Sequence, residues 1–322
     1  MDGTDGTDWL AERFEANRAH LRAVAYRMLG SLSEADDVVQ DAWFRLSRSD
    51  ASEVDNLDGW LTTVVARLSL DVLRSRTARR EDSFEAHVPD PIIDREDAVD
   101  PEHAVLLADS IGLALLVVLD TLNPVERLAF VLHDMFGVDF AEIASMVGRS
   151  PEAARQLASR ARRRVQGAAP APDVDVRRQR EVVDAFFAAA RDGDLETLVR
   201  VLDSDVVLRA DAGPGSPLSV FHRGAQTIAS GALVRFAGEK RIAHPARVNG
   251  AAGVVITVDG QPVSVMAFTV IDDKIVEIDT LADPKRLRRL PAEDRNRYWS
   301  GRSVERCLAP SDRTTRGRPA HP

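Results

Sequence analysis

The sequence predicts a multidomain chain: two all-α units, the second a helix-turn-helix, followed by an α+β unit whose helices precede a curved antiparallel sheet folded into a cone. Three observations predict it. From Trp9 to Gln166 apolar residues recur at helical spacing between capping residues and glycine stops. From Val206 to Leu281 the pattern changes to short β-rich runs separated by the turn pairs Asn249-Gly250, Asp259-Gly260 and Asp272-Asp273. Between these units, Glu81 to Pro101 is acidic, proline-bearing and aperiodic, and Ala168 to Pro172 alternates alanine with proline, as linkers do. The resulting divisions are residues 8–81, 82–104, 105–167 and 173–290, with 291–322 an Arg-, Pro-, Ser- and Thr-rich tail expected to be disordered.

Composition bounds the function. At 44% hydrophobic residues, 322 residues can build two or three real cores. A single cysteine, Cys307, excludes a disulfide framework and fits a reducing compartment. No apolar run approaches the roughly twenty residues of a membrane span. The acidic start Met1-Asp2-Gly3-Thr4-Asp5 lacks the parts of a signal peptide, so a cytoplasmic protein is expected. No metal cluster, phosphate loop or nucleophile triad stands out, and no cofactor is expected. The net charge of −9 is unevenly spread: bases crowd Arg67 to Arg80 and Arg149 to Arg164, acids the N-terminus and Glu81 to Glu102. Such asymmetry suits local contact with DNA through two patches and weak affinity of the free chain.

In chain order, Trp9 to Leu29 is an amphipathic helix (Leu10, Phe14, Leu21, Val24, Ala25, Met28) stopped by Gly30. Ser33-Glu34-Ala35-Asp36 starts a second helix with Val38, Val39, Ala42, Trp43 and Leu46 on its apolar side. Asp36, Asp37, Gln40, Asp41 and Phe44 form an acidic strip with one aromatic beside that stripe. Acids in a first turn also offset the helix dipole, so the strip alone is not diagnostic. Ser47 to Asn56 is a polar loop. Leu57 to Arg80 is a helix with Trp60, Leu61, Val64, Val65, Leu68, Val72 and Leu73 inside and Arg67, Arg74, Arg76, Arg79 and Arg80 outside. Leu106 to Leu122 is a strongly apolar helix.

Asn123-Pro124-Val125-Glu126 opens the next helix, and Gly137 stops it. A short helix starts at Asp139, with Glu142 closing a capping box, and ends at Gly148; a third begins at Ser150-Pro151-Glu152. In the third, Ala154, Leu157 and Ala161 face inward while Arg149, Ser150, Arg155, Gln156, Ser159, Arg160 and Arg163 stand at its start or outer side. Two capped helices across a glycine turn, the second rich in Arg and Gln, describe a helix-turn-helix whose last helix enters the major groove. Arg and Gln can make paired hydrogen bonds to guanine and adenine edges. A solvated arginine-rich face is the bland alternative, and the capped two-helix frame argues against it.

The run Glu34 to Phe44, then Gly59-Trp60-Leu61 with a basic helix, then the helix-turn-helix of Asn123 to Val165, resembles the two conserved modules of an extracytoplasmic-function sigma factor of bacterial RNA polymerase. The resemblance implies that Asp36, Asp37, Gln40, Asp41 and Phe44 dock on core polymerase. It implies that Asn56, Trp60, Arg67, Arg74 and Arg76 meet the promoter −10 strand, with Ser47 to Asn56 capturing an unstacked base. The recognition helix, Arg149, Ser150, Arg155, Gln156, Ser159, Arg160 and Arg163, would read the −35 element. Opening a duplex unstacks bases at a cost of a few kcal/mol, so a base pocket plus cations along the strand suffices without covalent chemistry.

The third unit opens with a helix, Val174 to Arg191, turns at Gly193-Asp194 into Leu195 to Leu202, and continues as strands Val206 to Ala210, Ile242 to Asn249, Gly253 to Val258, Val263 to Ile271 and Lys274 to Leu281. A helix from Gly224 to Phe236 interrupts them. This order resembles the SnoaL-like fold, carried by a known group of sigma factors. Linker and loop motifs of that group are partly matched by His87-Val88-Pro89-Asp90-Pro91, Asp211-Ala212-Gly213-Pro214-Gly215 and Asp283-Pro284-Lys285-Arg286-Leu287. Regulatory contact is therefore expected at Asp211, Asp283, Pro284 and Lys285, with the extra domain clamping the two modules in cis and the free chain monomeric. Relatives of the fold include isomerases, so Asp211, His222 or Asp279 in an apolar cone interior, or an unknown small-molecule ligand there, are the competing expectations. The rival function is a helix-turn-helix regulator with a ligand-sensing or isomerase-like domain.

Overall fold

The structure, a computed structural model, describes residues 3–48, 56–78, 86–95, 101–107, 112–168, 175–236 and 241–289. Most of the expected base-capturing loop, Arg79 and Arg80, the acidic start of the first linker, the alanine-proline linker and the tail lie outside the described residues.

Helices α1 (Gly3–Leu29), α2 (Leu32–Leu46) and α3 (Leu57–Ala78) pack into one unit through Leu21, Val24, Met28, Val38, Val39, Leu61 and Val65, all buried. The capping residue of α2 is Ser31, not Ser33: its hydroxyl accepts from the Glu34 N–H at 3.5 Å. The earlier start is possible because the Asp90 carboxylate accepts from the Leu32 N–H at 2.9 Å, satisfying a second free donor of the first turn.

Asp90 belongs to the stretch read as a linker, whose described residues are ordered against both units. Ala86, Val88, Ile92 and Ile93 are buried, and strand β1 (Ile93–Asp94) pairs antiparallel with the C-terminal unit. Helix α4 (Pro101–Leu106) follows, its His103 Nδ1 2.7 Å from Asp94 Oδ1. The segment is too short for any period to show. The apolar stretch expected as one helix from Leu106 to Leu122 likewise divides, α4 ending at Leu106 and α5 (Leu113–Asp120) beginning after Gly112.

Helix α6 (Pro124–Phe130) starts where Asn123 Oδ1 accepts from the Val125 N–H at 3.1 Å, and it widens into a π turn over Val131–Met135. Helices α7 (Phe140–Val147) and α8 (Pro151–Ala168) complete the helix-turn-helix, with Gly148 at φ +64° in the turn. Asp139 sits at the cap of α7 without a side-chain bond, so the expected capping box is not formed. Ala154, Ala158 and Ala161 are the buried seam of α8, small enough for close packing on α6 and α7; Leu157 is half-buried.

The C-terminal unit contains α9 (Val176–Asp192), α10 (Leu195–Val201), β2 (Leu202–Asp211), β3 (Val220–Arg223), α11 (Ala225–Phe236), β4 (Arg241–Val248), β5 (Ala251–Val258), β6 (Gln261–Ile271), β7 (Lys274–Leu281) and α12 (Pro284–Leu287). Its sheet has the order β1-β4-β5-β6-β7-β2-β3 and is mixed, not wholly antiparallel as expected. After β2 and β3 the chain crosses over through α11, so the β4 to β7 meander ends with β7 parallel to β2, Arg209 opposite Asp279. One face is covered by α9, α10 and α11, where Phe187 meets Phe236 and Phe268 edge-on at 5.2 and 5.9 Å. The other face, with Ala246, Val248, Val255, Val265, Ala267 and Leu281, joins the core of the helical units in one hydrophobic cluster. The strand register puts two residues of the rival isomerase reading outside the cone interior. Asp279 shares its face with Ala267 and Arg209, opposite the helix-covered interior, and His222 is exposed on β3.

Candidate nucleic-acid interface and linker clamp

On α2, Asp36, Asp37, Gln40 and Asp41 are exposed because the opposite face carries Val38, Val39 and Ala42 into the core. Arg22 Nε donates to Asp36 at 2.6 Å, and Phe44 is 45% exposed. Beside the strip, α1 and α2 enclose a groove of about 400 Å³, floored by Phe14 and Trp43, whose rings lie 5.1 Å apart.

On α3, Asn56 caps the helix by accepting from the Gly59 N–H at 3.1 Å, and Trp60 is half-buried against the core. Arg67 is exposed and reaches the Ser145 carbonyl of α7 at 3.5 Å; Arg74 is exposed beside Asp71. Arg76 departs from expectation: it pairs with Glu34 and donates to the Leu29 carbonyl at 3.2 Å, turned towards α2. The side of α3 bearing Asn56 thus opens on a cleft of about 310 Å³ shared with His20, Phe136, Glu142 and Met146, part of it supplied by the helix-turn-helix. Burial, and then the Arg27 charge, lower the His20 pKa there.

Arg149 in the turn before α8 and Arg155, Gln156, Ser159 and Arg163 on it are exposed, and Ser150 Oγ accepts from the Ala153 N–H at 3.2 Å. The Arg155 guanidinium lies 5.4 Å from the Phe140 ring. Arg160 turns back to Glu126 of α6 at 2.8 Å, while Arg162 pairs with Asp134. The two helical units are joined by Arg127, buried to 2% exposure. It donates from Nε and Nη2 to the Arg27 carbonyl at the end of α1, both at 3.1 Å, and pairs with Asp120. The Arg27 guanidinium in turn lies 4.5 Å from the centre of the Phe136 ring.

The C-terminal unit grips the linker at Asp211. Its Oδ2 faces His87 Nδ1 at 3.0 Å, the Val88 N–H at 3.2 Å and Arg286 Nη1 at 2.8 Å. Burial would raise this carboxyl, but the His87 bond, the Gly213 and Val88 amides and the Arg286 charge bring it down to about 2. Arg286 also donates to Asp90 Oδ1 and to the Val88 carbonyl, both at 2.7 Å. Farther along, Asn249 accepts from the Ile92 N–H at 3.0 Å and donates to the Tyr26 hydroxyl at 3.2 Å, which itself donates to the Asp90 carbonyl at 2.6 Å.

The residues singled out near the end of the chain sit differently from Asp211. Asp283 caps α12 by accepting from the Lys285 N–H at 2.7 Å and lies against Gly213, where a φ of +97° would strain any side chain and a Cβ would crowd the Asp283 carboxylate at 3.0 Å. Pro284 and Lys285 are exposed; the cation in the clamp is Arg286. Sequence reading also missed Tyr26, Asp90 and Asn249. A positive φ at Asn249, hinted by Asn249-Gly250, was the one legible signal.

On the same sheet face Arg209 donates to Asp279 at 3.0 Å and to Glu277 at 3.3 Å, one cation for two buried carboxylates. Burial and the Asp279 charge push Glu277 up to about 7, and burial raises Asp279. A carboxyl raised above its unfolded value of about 4.5 binds more protons when folded. Its stabilisation is therefore complete below that value and is lost as pH rises towards 7, on the order of 3 kcal/mol. Urea denaturation is expected to show Glu277→Gln gaining on the native chain between pH 5 and pH 8; parallel pH profiles would refute the assignment.

The pattern of sigma-70 region 2 matches residues 13–79, and that of sigma-70 region 4 matches residues 112–165. The chain is 40% identical over 303 residues to the ECF RNA polymerase sigma factor SigJ of Mycobacterium tuberculosis, covering 90% of this chain and 96% of that one. It is 36% identical over 289 residues to the probable ECF sigma factor SigI of the same species, covering 89% and 97%. The crystal structure of M. tuberculosis SigJ superimposes with a TM-score of 0.68 and 35% identity, over 86% of this chain and 98% of that one.

Proposed function

The chain belongs to the extracytoplasmic-function sigma factors of RNA polymerase, and from that membership we propose that the free protein is closed on itself by its C-terminal domain and opened by core polymerase. As a sigma factor it binds core polymerase, recognises promoter DNA and starts transcription of a particular set of genes. It does so as a cytoplasmic protein without turnover chemistry, monomeric when free. In the open state Asp36, Asp37, Gln40, Asp41 and Phe44 dock on polymerase, Asn56, Trp60, Arg67 and Arg74 meet the −10 strand, and Arg149, Arg155, Gln156, Ser159 and Arg163 read the −35 element. Arg76 and Arg160 first have to leave Glu34 and Glu126.

One observation carries the closed-state reading: Arg67 on the −10 helix touches α7 of the −35 unit. The two promoter elements lie about 25 base pairs apart, roughly 85 Å at about 3.4 Å per pair. Units in contact cannot read both, whereas the acidic strip on α2 stays open to polymerase throughout. Docking at that strip can therefore precede separation and shift the population towards the extended form. Chains ending after Leu290 and after Gln166 test this by run-off transcription with core polymerase. The shorter chain is expected to bind core at least tenfold more tightly, and equal core affinity with equal activity would remove the regulatory role.

A further inference from the structure

His87 stands where three parts of the molecule meet. Its Nδ1 is 3.0 Å from Asp211 Oδ2 of the C-terminal domain, its Nε2 is 3.8 Å from Asp120 Oδ2 of region 4, and its backbone belongs to the linker. The side chain remains 48% exposed, so protons reach it from solvent. The charged groups around it are Asp211 on β2, Asp120 on α5, Arg127 on α6, Arg286 on α12 and Asp90 of the linker itself. These are three carboxylates against two guanidinium groups, an imbalance that one imidazolium removes.

Resting on the closed-state reading above, we propose that His87 is a proton sensor that ties region 4 to the linker when it is charged. The two ring nitrogens divide the work. A neutral imidazole protonated at Nδ1 already donates to Asp211, and its Nε2 lone pair then faces the Asp120 carboxylate without a proton between them. Charging the ring adds a proton at Nε2 and so a positive charge 3.8 Å from Asp120 Oδ2. The charge strengthens the existing hold on Asp211 and adds a pull on Asp120 that the neutral ring lacks, so region 4 is drawn to the linker only in the charged form. Acidification, which charges the ring, therefore favours the closed factor, and loss of the proton releases it. The ring is half-exposed and the Asp120 leg is long, so the effect is that of a solvent-screened ion pair, two- to fivefold in the closed-to-open ratio.

The test is a titration of dye-labelled full-length chain with core polymerase at pH 6 and pH 8, for the native protein and His87→Gln. The glutamine amide can still donate to Asp211 but cannot take up a proton. At pH 6 the native chain is expected to bind two- to fivefold more weakly than His87→Gln, the two converging at pH 8. An affinity ratio that is the same at both pH values overturns the proposal. Arg286→Ala, measured alongside, separates the two readings. If it binds core more tightly at both pH values while His87→Gln shows no pH effect, the sensor fails and the clamp stands; if Arg286→Ala leaves core affinity unchanged, the closed-state reading itself fails.

Discussion

Arg286→Ala is expected to open the protein. The change deletes one side chain that donates to Asp90, Asp211 and the Val88 carbonyl, and it leaves two largely buried carboxylates without the cation they share. Removing one partner of a buried ion pair typically costs about 3 to 5 kcal/mol, because the charge left behind has neither water nor counter-ion. Charged to the closed state alone, that is more than about a hundredfold in the closed-to-open ratio. The reading is amide exchange: protection of the β1–β4 pairing, Ile93 with Val248, is expected to fall by that factor, and core affinity to rise. The acid limb should change too. Asp211, held near 2 in the native protein, contributes stability above the ordinary carboxylate range that is lost as pH falls towards 2, and the variant loses part of it. Arg286→Lys should fall between the two, since an ammonium keeps the charge without the three-way fork. Unchanged exchange at Ile93 in Arg286→Ala would mean that the linker is held without Arg286, by its apolar residues and the remaining bonds to Asp211, Asn249 and Tyr26.

Reversing the charge of Asp37 and Asp41 together should abolish capture by core polymerase while leaving the fold intact. Both side chains are exposed on α2, away from the buried Val38, Val39 and Ala42, so their replacement by lysine should alter stability by no more than about 0.5 kcal/mol. Like charges placed across an interface cost several kcal/mol, which puts the expected loss of affinity at about a hundredfold or more. A pull-down with purified core polymerase, with denaturation midpoints as the control for folding, decides it. Retained capture would remove the docking role from this strip and turn attention to the groove floored by Phe14 and Trp43.

Much of this architecture was legible because its causes are local. The caps at Asn123 and Ser150, the stops at Gly30, Gly137 and Gly148, and the alternation of apolar and polar residues along α2 act within one or two turns of the residues that display them. What failed was also physical. The linker's strand is not legible because two residues have no period, and its order comes from β4 and Asn249, more than 150 positions away. The sheet was read as wholly antiparallel because turn pairs reveal hairpins, whereas the β2–β7 pairing joins strands with no turn between them. Lys285 was expected at the clamp where Arg286 stands, since neighbouring cations on a short helix differ only in the direction they point.

By itself, the sequence determined that this chain carries two helical promoter-reading units, where their exposed acids and bases lie, and that an α+β domain follows. Tertiary structure alone decided that α3 meets α7 through Arg67, that Arg127 ties the two helical units together, and that Arg286 ties the linker to the C-terminal unit. Helices and caps are set by neighbours three or four residues away, but a buried guanidinium finds its partner across 100 positions to the Arg27 carbonyl or 196 to Asp90, and no spacing in the sequence records which carboxylate or carbonyl it will meet.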